Sequence, residues 1–335
     1  MARKAATAVK EAEAVEAAPV ITAFKGFNHL LQCCPAGEPF QFEIGKTYTV
    51  EGKVSVCNRG FHAVDASNPL HVWDYYAPVN DEGRFTRYAE VELSGATDRE
   101  EGEKGIKIAA ASITVKAEIT LPDFIKRAVL ALLDAAKGAG KETVSSGDSA
   151  KLAASGDSAK LAASGHYATL AASGHSATLA ASGHSAKLAA SGHYAQLAAS
   201  GHSAKLAASG DYAKLAASGH SAQLAASGYS ATLAASGHYA QLAASGHYAQ
   251  LAASGDSAKL AASGHYAKLA VSGKNSVIAA SALGCTASGA DGTWISLAEF
   301  DGNGKCIGFA TGCIGQDGLK PDTRYRAKGG KLVEC

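Results

Sequence analysis

Between Ser146 and Ala280 the apolar and polar positions follow one nine-residue phrase, repeated fifteen times without an insertion. Each unit reads serine, glycine, aspartate or histidine, serine or tyrosine, alanine, a polar residue (lysine, threonine or glutamine), leucine and two alanines. Fourteen units keep the pattern closely, and the fifteenth, Ser272 to Ala280, is degenerate, as terminal repeats often are. Alanine, leucine, lysine and glutamine are good helix formers, so one long helix is the rival reading. Geometry rejects it. Nine residues make about two and a half helical turns, which throws Leu152, Leu161 and Leu170 onto alternating faces and forms no apolar stripe. Each glycine would also cost a helix interior about 1 kcal/mol.

A strand uses the same residues better. In Ala159 to Ala163, two alanines and Leu161 share one face while Lys160 and Ala162 share the other, and the serine-glycine stretch supplies a corner. One strand and one corner cannot bury their own apolar face. Stacked coils can, and they pair each backbone group with the coil above and below. The sequence therefore predicts a parallel β-solenoid, with either two or three units per coil. Serine recurs at the fourth position of every third unit (Ser149, Ser176, Ser203, Ser230, Ser257), a rhythm of 27 residues. A triangular coil of that size needs large side chains at its centre, and each unit offers one leucine among alanine, glycine and serine. Two thin facing sheets, 18 residues per coil, are filled by leucine and alanine. That winding is expected, with about seven coils in a rod about 35 Å long.

Outside the array the texture changes. Residues 1–19 interleave lysine, glutamate and alanine and read as a flexible or helical tail without the apolar block of a secretory signal. Residues 20–121 carry short strand patterns at Ile21–Phe24, Phe40–Ile44, Lys46–Val50, Arg87–Leu93 and Ile113–Ile119. A short helix is expected over Leu70–Tyr76 after Asn68 and Pro69. These make an α+β head. Pro122 and Asp123 open a clearer helix through Ala136, with Phe124, Val129, Leu132 and Leu133 near one face and Lys126, Arg127 and Asp134 away from it. Gly138 and Gly140 would stop it, and within 122–145 this helix is expected to plug the first coil. After the solenoid at 146–280, residues 281–335 read as a small β cap. Trp294–Phe300 alternates, Asp301–Gly304 signals a hairpin, Lys305–Ala310 returns, and Lys320–Tyr325 adds a turn and strand.

The 335 residues carry a formal net charge of +1 and are 47% hydrophobic, enough for two or three domains. No apolar run is long enough for a membrane span. Eight lysines against four aspartates give the array a charge of +4. The seven cysteines include no pair spaced by two residues, so reduced thiols are expected rather than a zinc site from Cys285, Cys306, Cys313 and Cys335. Neither a phosphate-cradling loop nor a nucleophile elbow is present, and the reading calls for no cofactor.

The head motifs are Ala23–Phe27, Phe42–Tyr48, Cys57 with Gly60–Ala63, Tyr75 with Tyr76, and Arg87–Tyr88 with Val91–Glu92. They resemble an uncharacterised domain of phages, prophages and gut bacteria. Its members are similar in carrying serine-glycine repeats and a C-terminal segment like Trp294–Glu299 with Lys320–Tyr325. The resemblance implies a phage or mobile-element origin, in a bacterial cytoplasm or on a virion, and no known activity. A second resemblance concerns order alone: Lys25, His62, Tyr76 and Glu92 follow the sequence in which ADP-ribosyltransferase-like folds place a basic residue, a histidine strand and a late glutamate. The first motif lacks arginine or histidine and the second lacks the usual serine-threonine-serine, so an NAD-using enzyme is the alternative reading.

Candidate binding residues lie in the array. Nine of the twelve histidines occupy the third position of a unit, and with two units per coil His166, His184, His202, His220 and His238 would form one column. Aspartate, tyrosine and lysine take the same slot elsewhere, which argues for a corner position over a metal site. Tyr167, Tyr194, Tyr212, Tyr239 and Tyr248 could stack bases or sugars, or form aromatic ladders that serve the sheet. The expectation is a non-catalytic structural or binding rod. Its partner would be a protein, a glycan or a polyanion, with self-association also open.

Overall fold

The computed structural model describes residues 20–33, 39–80, 84–102, 105–137 and 144–335. The expected tail at 1–19 and the helix stop at Gly138 and Gly140 lie outside the described residues. So do the side chains of Val129, Leu132, Leu133 and Asp134.

The array winds with two units per coil. Each strand pairs in parallel with the strand 18 residues on, as in Leu161 with Leu179 and Leu170 with Leu188. Odd and even units therefore build two separate facing sheets. The first, third and fifth apolar positions of the strand face inward, and Leu161, Leu170, Leu179 and Leu188 are almost wholly buried between the sheets with flanking alanines. Leucine and alanine fill this flat interior, which is why a 27-residue coil is not needed.

Parallel stacking outlasts the recognisable repeat. Thr286–Ser288 pairs with the strand Lys268–Val271, and Trp294–Phe300 pairs with Val277–Ala280, giving about nine turns from residue 144 to 297 rather than seven. The sequence hid these coils because Gly284 and Cys285 stand where the repeat has serine or tyrosine and alanine. An antiparallel strand then ends each sheet: Cys306–Cys313 on Trp294–Phe300, and Tyr325–Lys328 on Thr286–Ser288, backed by Lys331–Glu334. Reversing strand direction stops another coil from adding in register.

Glycine at the second position has a packing cause. A Cβ on Gly219 would lie 1.7 Å from the carbonyl oxygen of Gly201 in the coil below, and Gly183, Gly192 and Gly246 meet the same obstacle. Late corners also place non-glycine residues in left-handed backbone, among them Ser257 at φ 58°. Ser257→Gly is expected to raise stability by about 0.5–1 kcal/mol, read as a shift in the thermal midpoint, and no gain would contradict this strain.

The head is mainly β. Strands β1 (Ile21–Phe27), β5 (Phe61–Asp65), β6 (Arg87–Gly102) and β7 (Gly105–Ile119) close on themselves, because β7 pairs with both β5 and β6 while β1 bridges those two. Strand β4 (Thr47–Thr49) adds an edge to β7, and β2 (Gln32–Cys33) pairs with β3 (Phe40–Gln41). The ring interior holds Ala23, Phe27, Phe42, Val91, Leu93, Ile108 and Ile113. The hairpin of β6 and β7 is far longer than its apolar ends suggest, since its tip carries Asp98, Arg99, Glu100 and Glu101. The expected helix at Leu70–Tyr76 is a 3-10 turn, Pro69–Asp74, capped by Asn68.

The helix α1 (Leu121–Lys137) does not sit over the end of the first coil, as the sequence suggested. It lies across the side of the rod, touching the strands Lys160–Ala163, Thr178–Ala181 and Gln196–Ala199. Phe124, Ile125 and Ala128 of α1 join Phe24, Leu70, Val72, Trp73 and Tyr88 in one cluster with Ala180, Ala198, Ala216, Ala234, Ala252 and Ala270, the outward alanines of the even units. An alanine row is flat enough for rings and a helix to approach closely and bury their apolar faces against it. Position-six side chains pin the contact. Asn68 Nδ2 donates to Gln196 Oε1 at 2.8 Å, and buried Lys214 pairs with Asp74, which His71 also contacts.

Candidate functional site

With the even sheet covered, the odd sheet and the two corners are what the rod presents. On the odd sheet three rows run lengthwise: Lys151, Thr169, Lys187, Lys205, Gln223, Gln241 and Lys259; the exposed alanines from Ala153 to Ala279; and the serines from Ser155 to Ser281. Between the alanine and serine rows lies a shallow groove of about 1200 Å³ that ends against Phe309. The four lysines of this face have no carboxylate among them in the rows, because the array's aspartates all sit at corners.

The histidine column forms along the odd corner, beside that lysine row. His184 and His202 stack with centroids 5.1 Å apart, His202 and His220 at 4.9 Å, and His220 and His238 tilt at 5.9 Å. His166 continues the column below, and all five are exposed. Nδ1 of His184, His202 and His220 lies 3.1–3.2 Å from the hydroxyl of the following serine, which orients each ring. Asp148 and Asp256 occupy the ends, with His238 Nδ1 3.8 Å from the Asp256 carboxylate. Tyr167 and Tyr239 stand on this corner, 61% and 56% exposed. Tyr194, Tyr212 and Tyr248 belong to the opposite corner, where Tyr194 stacks on Tyr212 at 5.4 Å and Tyr248 on Tyr266 at 5.3 Å. The candidate aromatics thus divide between two edges and form no single surface. Among the described residues no group of three histidine, cysteine or acidic side chains is placed to hold a metal.

In the head, Lys25, His62 and Tyr76 meet. Lys25 Nζ donates to the His62 carbonyl at 2.7 Å and lies 3.2 Å from Tyr76 Oη, facing the rings of Phe27 and Phe42. Burial alone would lower the Lys25 pKa, but Tyr76 and Cys33 outweigh it and hold the ammonium above its ordinary value. His62 is pushed down, first by burial and then by Lys25 and Lys107. Glu92 is elsewhere. Opposite Thr22, it shares the outer face of the ring with Glu90 and pairs with Lys116 at 3.1 Å, whereas Lys25 points inward. Lys25 meets His62 only through its backbone carbonyl, the His62 ring turns instead to the Cys57 backbone, and Glu92 faces Lys116, so the described side chains do not converge as the alternative reading requires.

Sequence reasoning missed three features. One is the alanine row, legible in hindsight as the eighth position of each unit. Another is the pinning of the head by Gln196 and Lys214, which look like any position-six residues. The third joins Cys57 to Lys107, fifty residues apart in the chain.

No helix among the described residues is long and apolar enough to cross a membrane. Comparison with curated proteins and with solved structures returns no match. Residues 21–127, the head ring with the start of α1, match a family described as a domain of unknown function, DUF7666.

Proposed function

We propose that the protein is a non-catalytic rod of phage or prophage origin, acting in the host cytoplasm or on the virion, that holds a linear polyanion along its odd sheet and histidine corner. One observation carries this reading: Lys151, Lys187, Lys205 and Lys259 run parallel to a column of five exposed histidines, three of them stacked, with aspartate only at the ends of the column. The coil repeat of about 4.8 Å places cationic groups at a spacing that an extended chain of phosphates or sulfates can follow. Exposed Tyr167 and Tyr239 would add stacking for a partner with bases or sugar rings. The described residues of the head pack on the opposite sheet.

Imidazole is the side chain that gains charge on mild acidification, so binding is expected to strengthen at the lower pH. The check is fluorescence anisotropy of the full chain with heparin, single-stranded poly-dT and inorganic polyphosphate, at pH 7.5 and 5.5. Affinity is expected to rise at least about tenfold at the lower pH and to fall steeply with salt, and Lys187→Gln with Lys205→Gln should flatten the salt slope. Preference among the three probes identifies the backbone chemistry. Absence of binding at both pH values would remove the proposal.

A further inference from the structure

The corner built by the even units lies away from the lysine row and the histidine column. Five consecutive coils place a tyrosine there: Tyr194, Tyr212, Tyr229, Tyr248 and Tyr266. Tyr194 stacks on Tyr212 with centroids 5.4 Å apart and planes 13° from parallel, and Tyr248 stacks on Tyr266 at 5.3 Å and 15°. Between these pairs Tyr229 meets Tyr212 edge-on at 5.9 Å and tilts toward Tyr248 at 5.2 Å. Every ring therefore touches the ring of the next coil. Backbone hydrogen bonds between coils fix that spacing, since the Tyr212 N–H donates to the Tyr229 carbonyl at 2.7 Å and the Tyr248 N–H to the His265 carbonyl at 2.8 Å. At the upper end, a side chain on Gly284 would run into the Tyr266 ring at 2.4 Å, so glycine makes room for the last ring. Tyr194 is half-buried, and the other four are exposed to reagents in solution.

The odd corner holds tyrosines that differ in this one respect. Tyr167 and Tyr239 are more exposed, yet each lies beside a histidine, His166 and His220, and the coils on either side carry serine at the same position. A phenoxyl radical is consumed fastest by a second one held next to it, because a fixed neighbour is present at an effective concentration that another chain in dilute solution cannot match.

We propose that the tyrosine ladder of the even corner is a site of oxidative modification, at which a one-electron oxidant of phenols joins tyrosines of neighbouring coils through a carbon–carbon bond. Each of two tyrosines gives one electron to the oxidant and its phenolic proton to water. The two phenoxyl radicals couple at ring carbons next to the oxygens, and the hydrogens on those carbons move to the oxygens, restoring both phenols. With a haem peroxidase as the oxidant, hydrogen peroxide takes up the two electrons and two protons and leaves as two molecules of water. The product is a covalent staple from coil to coil, which limits the unfolded chain as a disulfide does.

The test treats the dilute full chain with a haem peroxidase and limiting hydrogen peroxide, isolates the monomer on a denaturing gel and maps joined peptides by mass spectrometry. A link is read as two tyrosines with the loss of two hydrogen atoms. Links between Tyr194 and Tyr212 and between Tyr248 and Tyr266 are expected at least about tenfold more often than any within-chain link at Tyr167 or Tyr239. Tyr248→Phe keeps a ring in the ladder and removes the phenol, so it should abolish the second link and leave the first. Oxidised monomer without ladder links, or links spread evenly over the exposed tyrosines, would overturn the proposal. An undiminished yield of linked Tyr266 in Tyr248→Phe would overturn the pairing assigned to it.

Discussion

Lys214→Ala is expected to loosen the head from the rod at a cost of about 3 kcal/mol, because removing one partner of a buried ion pair leaves the Asp74 carboxylate with only its His71 contact. Lys214 and Asp74 are 7% and 9% exposed, so water cannot stand in for the lost ammonium. The damage should be local. Coils of a solenoid are held by their neighbours, so the rod should persist while α1 and the Trp73 region gain hydrogen exchange. The same pair sets a pH dependence. Burial would raise the Asp74 pKa, but the His71 hydrogen bond and the Lys214 charge together prevail and hold it below its ordinary value. A carboxylate depressed in the folded state contributes stability that is present above its unfolded pKa of about 4 and is lost as pH falls through the folded one. Head docking should therefore weaken only in strong acid, and in Lys214→Ala that acid-dependent loss should shrink. Exchange rates unchanged by Lys214→Ala would mean that the alanine row alone holds the head.

Gly219→Ala is expected to cost about 3 kcal/mol or more, at the upper end of overpacking effects. The added carbon meets the carbonyl oxygen and carbon of Gly201 at 1.7 and 2.6 Å, and both are backbone atoms that no rotamer change can move. The φ of Gly219 is not in the left-handed region, so coil-to-coil approach is the cause and not conformational freedom. Gly302→Ala in the cap hairpin is the matched control, since nothing lies within 4 Å of its added carbon. A thermal midpoint that drops for Gly219→Ala and holds for Gly302→Ala supports the stacking geometry. Equal small changes would contradict it.

The rod was legible in the sequence because repetition multiplies a weak signal. One leucine per unit is ambiguous, whereas fourteen in register, with alanine on either side, admit only an interior too thin for a triangular coil. The docking of the head was not legible. Alanine stands at the eighth position in odd and even units alike, so nothing in the letters marks Ala198 for burial under Phe124 and Ala207 for exposure. Lys214 and Lys205 look equivalent too, yet one is buried against Asp74 and the other faces outward. In the head, strand Phe61–Asp65 is short and carries His62 and Asp65 beside its few apolar residues, so its pattern does not stand out in the sequence. Charges at Asp98–Glu101 masked the continuation of β6, which shows how solvated hairpin tips escape apolar patterning. The histidine column followed from the 18-residue period alone. Its separation from Tyr194, Tyr212 and Tyr248 follows from the same period, since those tyrosines belong to even units.

The winding of two units per coil is tested most directly by one distance. Spin labels carried by unnatural amino acids at Lys151 and Lys259, both exposed on the odd sheet, stand six coil steps apart along the parallel register. At a strand spacing of about 4.8 Å their backbone separation should be about 29 Å. A double electron–electron resonance distribution centred near that value agrees with the flat solenoid. A centre near about 19 Å, the span of four three-unit coils, would contradict it.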